Sequence, residues 1–160
     1  MPRRVVVVGG GVNGLASATA LGERGVQRVD VFERRTLASG ASVKSSGIVR
    51  CHYGIPSLAA MAWRSLPLFE ELGDRVGFHP VGYLLVVGDG NEDPLRANVS
   101  MQQELGIEVA EVSIDGASGL WPFMRSDDLR AAAYEPRAGY ADASMLAQYF
   151  AGRARSAGAR

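Results

Sequence analysis

Three glycines near the start of the chain have a spacing that is typical of phosphate binding. Gly9, Gly11 and Gly14 form G-x-G-x-x-G directly after the valine run Val5–Val8. In a strand–turn–helix unit the first glycine allows a tight turn, the second lets a pyrophosphate approach the main chain, and the third lets the helix pack closely on the strand. The start of the helix then presents N–H groups and a partial positive charge to the phosphates. The spacing therefore predicts a pyrophosphate site, provided that the elements around it form.

The residues around the glycines predict those elements. Apolar residues at helical spacing follow Gly14, and Gly25 ends the predicted helix. A second predicted strand over residues 28–32 leads into Glu33. This acid lies close to the position, about 20 residues downstream, at which such a fold places its ribose-binding carboxylate. The sequence therefore predicts a Rossmann-like α/β unit that binds a dinucleotide.

The residues after the second strand bear on which dinucleotide is bound. Glu33 suits FAD or NAD, because both carry an adenosine ribose, whereas the carboxylate would repel the 2′-phosphate of NADP. Arg34 and Arg35 keep NADP open as an alternative. A nicotinamide-binding domain normally continues from its second strand into another helix, but residues 34–50 form a long loop rich in Gly and Ser. A long loop at the carboxyl end of a strand favours a functional role along a ligand, and FAD is the preferred interpretation.

Composition limits the class of protein. The 160 residues are 47% hydrophobic and 21% charged, as in an ordinary globular domain, and the formal net charge is zero. Neither nucleic acid nor an anionic membrane surface is indicated as a partner, and no apolar run approaches the roughly 20 residues that span a bilayer. The single cysteine, Cys51, excludes an internal disulfide and fits a reducing cytoplasm. His52 and His79 lack metal-ligand spacing, so no metal site is expected.

The remaining pattern predicts an insertion within the nucleotide-binding domain. Residues 1–76 are predicted to form the first part of the FAD-binding domain, 77–138 an α+β substrate-domain segment, and 139–160 a returning helix of the FAD-binding domain, capped by Asp142. Helices are predicted over 56–72, 94–105 and 114–120, and strands over 81–87, 108–112 and 131–134. A third parallel strand is expected after the returning helix. The chain is therefore expected to be the N-terminal portion of a longer protein, with an incomplete Rossmann-like domain.

Several motifs resemble those of the D-amino-acid oxidase superfamily of FAD-dependent oxidoreductases. Within that superfamily, the chain is similar to the branch of sarcosine oxidases, dimethylglycine dehydrogenase and glycine oxidase. The Ser-rich loop that ends in G-I-V-R and the later A-G-Y-x-D are more specific than the glycine motif. The matching segments are Val5–Gly14, Glu33-Arg34, Ala41–Arg50, Gly82–Leu84 and Pro136–Asp142.

The resemblance implies a set of cofactor contacts. The glycines would hold the FAD pyrophosphate, Glu33 the adenosine ribose, and Arg34 would lie beside the adenosine. The segment from Ser42 to Ile48 would run along the pyrophosphate, the ribityl chain and the flavin ring. The implied cofactor-binding residues are Gly9, Gly11, Val12, Asn13, Gly14, Glu33, Arg34, Ser42, Lys44, Ser45, Ser46, Gly47 and Ile48.

The resemblance also implies a substrate contact and two departures from the family. Arg50-Cys51-His52-Tyr53 resembles the R-H-A-Y of monomeric sarcosine oxidases, whose arginine pairs with the substrate carboxylate, so Arg50 is the candidate substrate-binding residue. A structural ion pair for Arg50 is the alternative. An arginine that those oxidases carry falls on Gly47 here. Lys44 stands where dimethylglycine dehydrogenase has its flavin-linked histidine, so no histidyl–flavin bond is expected from this loop.

The function implied by the resemblance is oxidation of the C–N bond of an amino acid or N-methylated amine, such as sarcosine, dimethylglycine or glycine. A small amine or amino acid is then the substrate, and the remainder of the same chain or a partner subunit is expected to complete the enzyme. Two alternatives stay open: an NAD-dependent dehydrogenase, and a truncated nucleotide-binding fragment without catalysis. The isolated chain is expected to have poor stability and no turnover, because its sheet edge would be unpaired and the flavin only half enclosed.

Overall fold

The computed structural model describes residues 3–160, and these residues form two units. The first unit contains the residues up to Gly47 together with Leu72–Phe78 and Ala141–Arg160, and the second contains Ile48–Glu71 and His79–Tyr140. This division differs from the predicted boundaries. Residues 48–71 group with the second unit, although the sequence analysis assigned them to the first part of the FAD-binding domain. The reason is that residues 48 and 49 pair with the strand at 139–140, far along the chain.

The first unit is built on a parallel strand pair. Strand β1 (Val5–Val8) is followed by helix α1 (Val12–Glu23) and strand β2 (Val29–Phe32). The two strands pair in parallel, from Val5 opposite Val29 to Val8 opposite Phe32. This strand–helix–strand order is the predicted one. The parallel register places both carboxyl ends at the same edge of the sheet, where ligands of such folds bind.

Helix α5 (Ala143–Ser156) packs against α1 in the same unit. The carboxylate of Asp142 accepts hydrogen bonds from the N–H groups of Ser144 (2.7 Å) and Met145 (2.9 Å), which confirms the predicted N-cap. Small residues permit the close helix contact. The core between these elements and the strands contains Leu15, Ala18, Val26, Val29, Ala38, Ala147, Ala151, Ala154 and Ala159.

Arg160 already pairs with β2. Its N–H donates to the carbonyl of Val29 (3.0 Å), and its own carbonyl accepts from the N–H of Val31 (2.7 Å). Two such bonds on either side of one residue are the pattern of a parallel strand pair. Arg160 therefore pairs in parallel fashion with the edge of β2.

The second unit contains a three-stranded antiparallel sheet. Strand β4 (Tyr83–Val87) and strand β5 (Ala110–Val112) both pair with β6 (Ala131–Glu135), which lies between them. The alanines of β6 are buried, and helix α3 (Glu92–Glu104) packs on this central strand. The small side chains of β6 let the helix approach the sheet, and they leave the larger Glu135 as the last residue of the strand.

The rest of the second unit consists of two helices and a short strand pair. Helix α2 (Pro56–Leu72) is continuous through Pro67, as predicted for residues 56–72. Helix α4 (Ile114–Leu120) follows β5, and strand β3 (Ile48–Val49) pairs antiparallel with β7 (Gly139–Tyr140). None of the helices within residues 3–160 is long and apolar enough to cross a bilayer.

Candidate functional site

The start of α1 has the geometry that phosphate binding requires. Gly9 adopts a positive φ of 109°, which an L side chain rarely tolerates, and this turn carries the chain from β1 into the helix. Gly11 is the N-cap residue, and no side chain caps the helix there. The N–H groups of a first helical turn have no partners within the helix. One of them, that of Val12, donates to the Ser42 hydroxyl oxygen at 3.2 Å.

Gly14 and Gly11 lie close to other atoms of the unit, so a side chain at either position would meet a neighbour. A Cβ atom on Gly14 would lie 2.0 Å from the carbonyl oxygen of Gly9, so any side chain there would push α1 away from the end of β1. A Cβ on Gly11 would lie 3.0 Å from the Ser42 hydroxyl oxygen. The glycines themselves place no side chain over the main chain at the helix start, as an approaching pyrophosphate needs, and the Ser42 hydroxyl is bound there.

The Glu33 carboxylate is fixed by two backbone N–H groups. Its Oε2 accepts from Gly10 at 2.8 Å, and its Oε1 accepts from Arg35 at 2.9 Å. The hydrogen bond from Gly10, followed by that from Arg35, holds the pKa of Glu33 below its ordinary value, so the group is ionised at neutral pH. Each carboxylate oxygen accepts a second hydrogen bond readily, which suits the two hydroxyl groups of a ribose.

Gly10 is a site residue that the sequence analysis missed. A Cβ on Gly10 would lie 2.6 Å from a methyl carbon of Leu37 and 3.1 Å from Cβ of Glu33. A side chain here would therefore displace the carboxylate that the Gly10 N–H holds. The only sequence sign is that this position, variable in G-x-G-x-x-G, is also glycine.

A cavity of about 430 Å³ lies at the carboxyl ends of β1 and β2. Its walls are Val8, Gly9, Phe32, Glu33 and Arg34. The side chain of Val8 is 85% exposed and that of Phe32 is 58% exposed, so two apolar surfaces border a fixed carboxylate. Apolar walls with one oriented polar group suit a nucleoside, whose base is flat and whose sugar carries hydroxyl groups.

The Ser-rich loop brings only part of its predicted residues to the helix start. Residues Ser42–Lys44 form a short 3₁₀ helix that places the Ser42 hydroxyl beside Val12. Lys44, Ser45 and Ser46 are exposed, as is Asn13 on α1. Gly47 has a positive φ of 71°, and a Cβ there would lie 2.1 Å from the carbonyl oxygen of Ala141. The cofactor contacts of these loop residues stay predictions.

Two further predicted residues, Ile48 and Arg50, belong to the second unit. Ile48 lies in β3 opposite Tyr140 and is exposed. The Arg50 guanidinium lies 4.8 Å from the centre of the Tyr53 ring and 5.2 Å from that of Tyr83, and it donates a hydrogen bond to the carbonyl of His52. No salt bridge of Arg50 is found among residues 3–160. Burial raises the pKa of the Glu135 carboxyl and the Arg50 charge opposes that rise, so an ion-pair role for Arg50 stays an alternative.

A buried polar cluster adjoins Arg50 in the sequence and was not predicted. The carboxylate of Glu135 accepts from the N–H groups of Cys51 (2.8 and 3.0 Å) and His52 (3.1 Å). Burial raises the pKa of Glu135. Burial and the Glu135 carboxylate raise the pKa of the Cys51 thiol to about 12, so the thiol is inert. Burial and the Arg50 charge lower the pKa of His52, which is therefore neutral.

The His, Cys, Asp and Glu side chains form no metal-binding cluster in the part of the chain that is described. No set of three or more His, Cys, Asp or Glu residues within residues 3–160 is arranged to hold an ion. The glycine-lined helix start and the oriented carboxylate fit a dinucleotide instead.

Comparison with known proteins decides the family. The model of the family described as "FAD dependent oxidoreductase" (DAO) matches residues 4–160. The chain belongs to this family. FAD is accordingly its cofactor class, which favours FAD over the nicotinamide alternative, and the predicted α/β, Rossmann-like FAD-binding domain with an inserted α+β segment is confirmed.

Individual relatives agree with that assignment. Sarcosine oxidase subunit beta from Arthrobacter sp is 31% identical over 167 residues, which cover 96% of this chain and 41% of the relative. The structure of L-proline dehydrogenase from P. horikoshii superposes with a TM-score of 0.88 at 26% identity, over 100% of this chain and 44% of that one. Glycine oxidase from Geobacillus kaustophilus gives a TM-score of 0.77 at 30% identity, over 99% and 46%. The chain thus spans less than half the length of these relatives.

Proposed function

We propose that this chain belongs to an FAD-dependent enzyme that oxidises the C–N bond of an amino acid or an N-methylated amine. Family membership supports the cofactor, and the names of the relatives support the substrate class, since sarcosine, glycine and proline are all amino acids with an amine nitrogen. The observation that carries the proposal is the placement of the Arg50 guanidinium, which lies close to two tyrosine rings and has no salt-bridge partner among residues 3–160.

The first unit is proposed to bind the cofactor. The N–H groups at the start of α1 would hold the pyrophosphate, and Glu33 would accept hydrogen bonds from the ribose hydroxyls. Arg34, on the wall of the same cavity, would lie beside the adenosine. The remaining proposed contacts are those of Asn13, Ser42, Lys44, Ser45, Ser46, Gly47 and Ile48. Residues 1–76 and 139–160 are proposed as the FAD-binding domain, and 77–138 as a substrate-domain segment.

Arg50 is proposed to bind the substrate carboxylate. A guanidinium is planar and always charged, and it offers paired N–H donors that match the two oxygens of a carboxylate. The rings of Tyr53 and Tyr83 limit its movement through cation–π contact. Fixing the carboxylate orients the carbon next to the amine nitrogen, and restricting its motion is a large part of what such a site contributes.

FAD held by the start of α1 and Glu33 would supply the redox chemistry, a two-electron oxidation of the C–N bond. The substrate is left as an imine, which water hydrolyses. A second polypeptide is proposed as a partner by analogy with the name of the sarcosine oxidase subunit.

The test is anaerobic reduction of the complete FAD-loaded enzyme that contains this chain by sarcosine, dimethylglycine, glycine and L-proline in turn. Loss of the oxidised flavin absorbance with at least one of them is expected. Replacing Arg50 with Met should raise the concentration of substrate needed for half reduction, while Arg137→Met, a matched arginine in the exposed ion pairs with Glu70 and Glu108, should leave it unchanged. A flavin that none of the four compounds reduces would contradict the proposed function.

A further inference from the structure

The backbone of residues 50–53 is held in an unusual way. These residues follow β3 and precede α2, and they belong to no helix or strand. Cys51 and His52 are nevertheless buried, with 1% and 6% of their surfaces exposed. Buried backbone groups need hydrogen-bond partners, and here several of those partners are side chains.

Glu135 supplies two of these partners. It stands at the end of the central strand β6 with 2% of its surface exposed, and its carboxylate accepts from both the Cys51 and the His52 N–H groups. A charged group in such a position carries a desolvation penalty that an apolar residue would avoid. The presence of a buried carboxylate at position 135 is therefore better explained by the backbone conformation that it fixes than by a gain in stability alone.

Gln102 supplies a third partner from a different element. Its side chain on α3 is fully buried, and its Nε2 donates to the carbonyl of Tyr53 at 3.2 Å. Arg50 is connected to the same backbone, because its guanidinium donates to the carbonyl of His52. The N–H of His52 donates to Glu135. His52 is therefore held at its N–H by Glu135 and at its carbonyl by Arg50.

We propose that Glu135 and Gln102 are positioning residues, which fix the backbone of residues 50–53 and so hold the Arg50 guanidinium beside Tyr53 and Tyr83 for a substrate carboxylate. The proposal rests on the proposed role of Arg50. The two residues reach the segment from β6 and α3, so the orientation of Arg50 is set by the core of the second unit. Neither residue is expected to touch the substrate.

The test uses two variants and two matched controls. Glu135→Gln places an amide N–H₂ opposite a backbone N–H and breaks part of the contact. Gln102→Met keeps the size of the side chain and removes both the bond to Tyr53 and the buried Oε1, which has no partner among the described residues, so it is expected to fold. Gln103→Met is its control, because Gln103 on the same helix donates to a different carbonyl, that of Val109, at 2.9 Å. Glu108→Gln controls for loss of a carboxylate, since Glu108 forms an exposed ion pair.

The first measurement needs neither turnover nor substrate. The Arg50 guanidinium Nη–H signals in ¹⁵N NMR, assigned with Arg50→Lys, should exchange with water about tenfold faster in Glu135→Gln and Gln102→Met than in the parent protein, because an Nη–H group donates to the His52 carbonyl and this hydrogen bond is weakened when the backbone is released. The two control variants should leave this exchange unchanged. Equal exchange in the parent and in folded Gln102→Met would overturn the proposal, even if Glu135→Gln failed to fold.

The second measurement separates this proposal from the proposed function. With sarcosine as the substrate, KM should rise about tenfold in both variants while kcat stays within about twofold, because only binding of the carboxylate is weakened. A change in kcat alone would overturn the positioning role. If the parent protein oxidises no amine at all, the proposed function fails, and the NMR exchange of Arg50 still decides whether Glu135 and Gln102 position it.

Discussion

Replacing Gly14 with alanine is the most direct perturbation of the glycine turn. The added Cβ would lie 2.0 Å from the Gly9 carbonyl oxygen, whereas real Cβ atoms essentially never come within 3.0 Å of another heavy atom. The first turn of α1 must therefore move about 1 Å away from the end of β1. A hydrogen bond of ordinary length is broken by a displacement of that size. The substitution should therefore damage both the packing of the unit and its phosphate site.

The expected size follows from two opposing terms. Overpacking of this kind costs up to about 3 kcal/mol. Alanine in place of a helical glycine returns about 1 kcal/mol through its better helix propensity. The net loss in the free energy of unfolding is then about 2 kcal/mol, which lowers Tm by about 4–8 °C in a chain of this size. Loss of one charge-assisted bond to the pyrophosphate weakens FAD binding by about tenfold or more.

The assay is thermal unfolding combined with FAD titration, and the control is Gly152→Ala. Gly152 lies inside α5, and a Cβ there would meet nothing within 4 Å. The control therefore gains the same helix propensity without the collision, and it should be up to about 1 kcal/mol more stable with unchanged FAD affinity. Gly14→Ala and Gly152→Ala should thus move Tm in opposite directions. Equal stability and equal FAD affinity in both variants would refute the reasoning about the turn.

Three further predictions concern Glu33, Cys51 and Asp142. Hydrogen bonds from Gly10 and Arg35 hold the pKa of Glu33 below its ordinary value of 4.5. The stabilisation by ionised Glu33 is therefore fully present above pH 4.5 and is lost as pH falls through the lower pKa of the folded state. In acid titrations of stability, Glu33→Gln should lack this pH dependence. The Cys51 thiol, with its pKa of about 12, should not react with Ellman's reagent in the folded protein but should react fully in concentrated urea, and rapid reaction of the folded form would contradict its burial. Asp142→Ala should cost about 1 kcal/mol in urea denaturation, and Asp142→Ser, which keeps a capping oxygen, should recover most of it.

The glycine turn and Glu33 in the first unit could be predicted from the sequence because their determinants are local. The valine strand, the glycine spacing and the acid after the second strand all lie within the first 33 residues. Helix α5 was also predicted with its cap, since Asp142 and the apolar periodicity that follows it are local features. Gly10 was missed because its role depends on the position of Glu33, which only the fold brings to it.

The surroundings of Arg50 in the second unit were harder to predict because their determinants are distant in the sequence. Strands β3 and β7 have two residues each and pair across some ninety positions, so no periodicity marks them. Residues 48–71 accordingly group with the second compact unit, which the sequence did not predict. Glu135 ends a strand of alanines and gives no motif, and its contact with Cys51 spans 84 positions. An acid directly after a run of small buried residues is the only sign that the sequence offers.

The measurement that tests the central claim most directly is a titration of the purified, cofactor-stripped protein with FAD and, separately, with NAD, followed by calorimetry. The account predicts that FAD binds, that NAD binds much more weakly, and that Glu33→Gln weakens FAD binding by about tenfold through loss of the charged ribose contact. Tighter binding of NAD than of FAD, or FAD binding that is indifferent to Glu33, would contradict the assignment of the helix start and this carboxylate as the cofactor site.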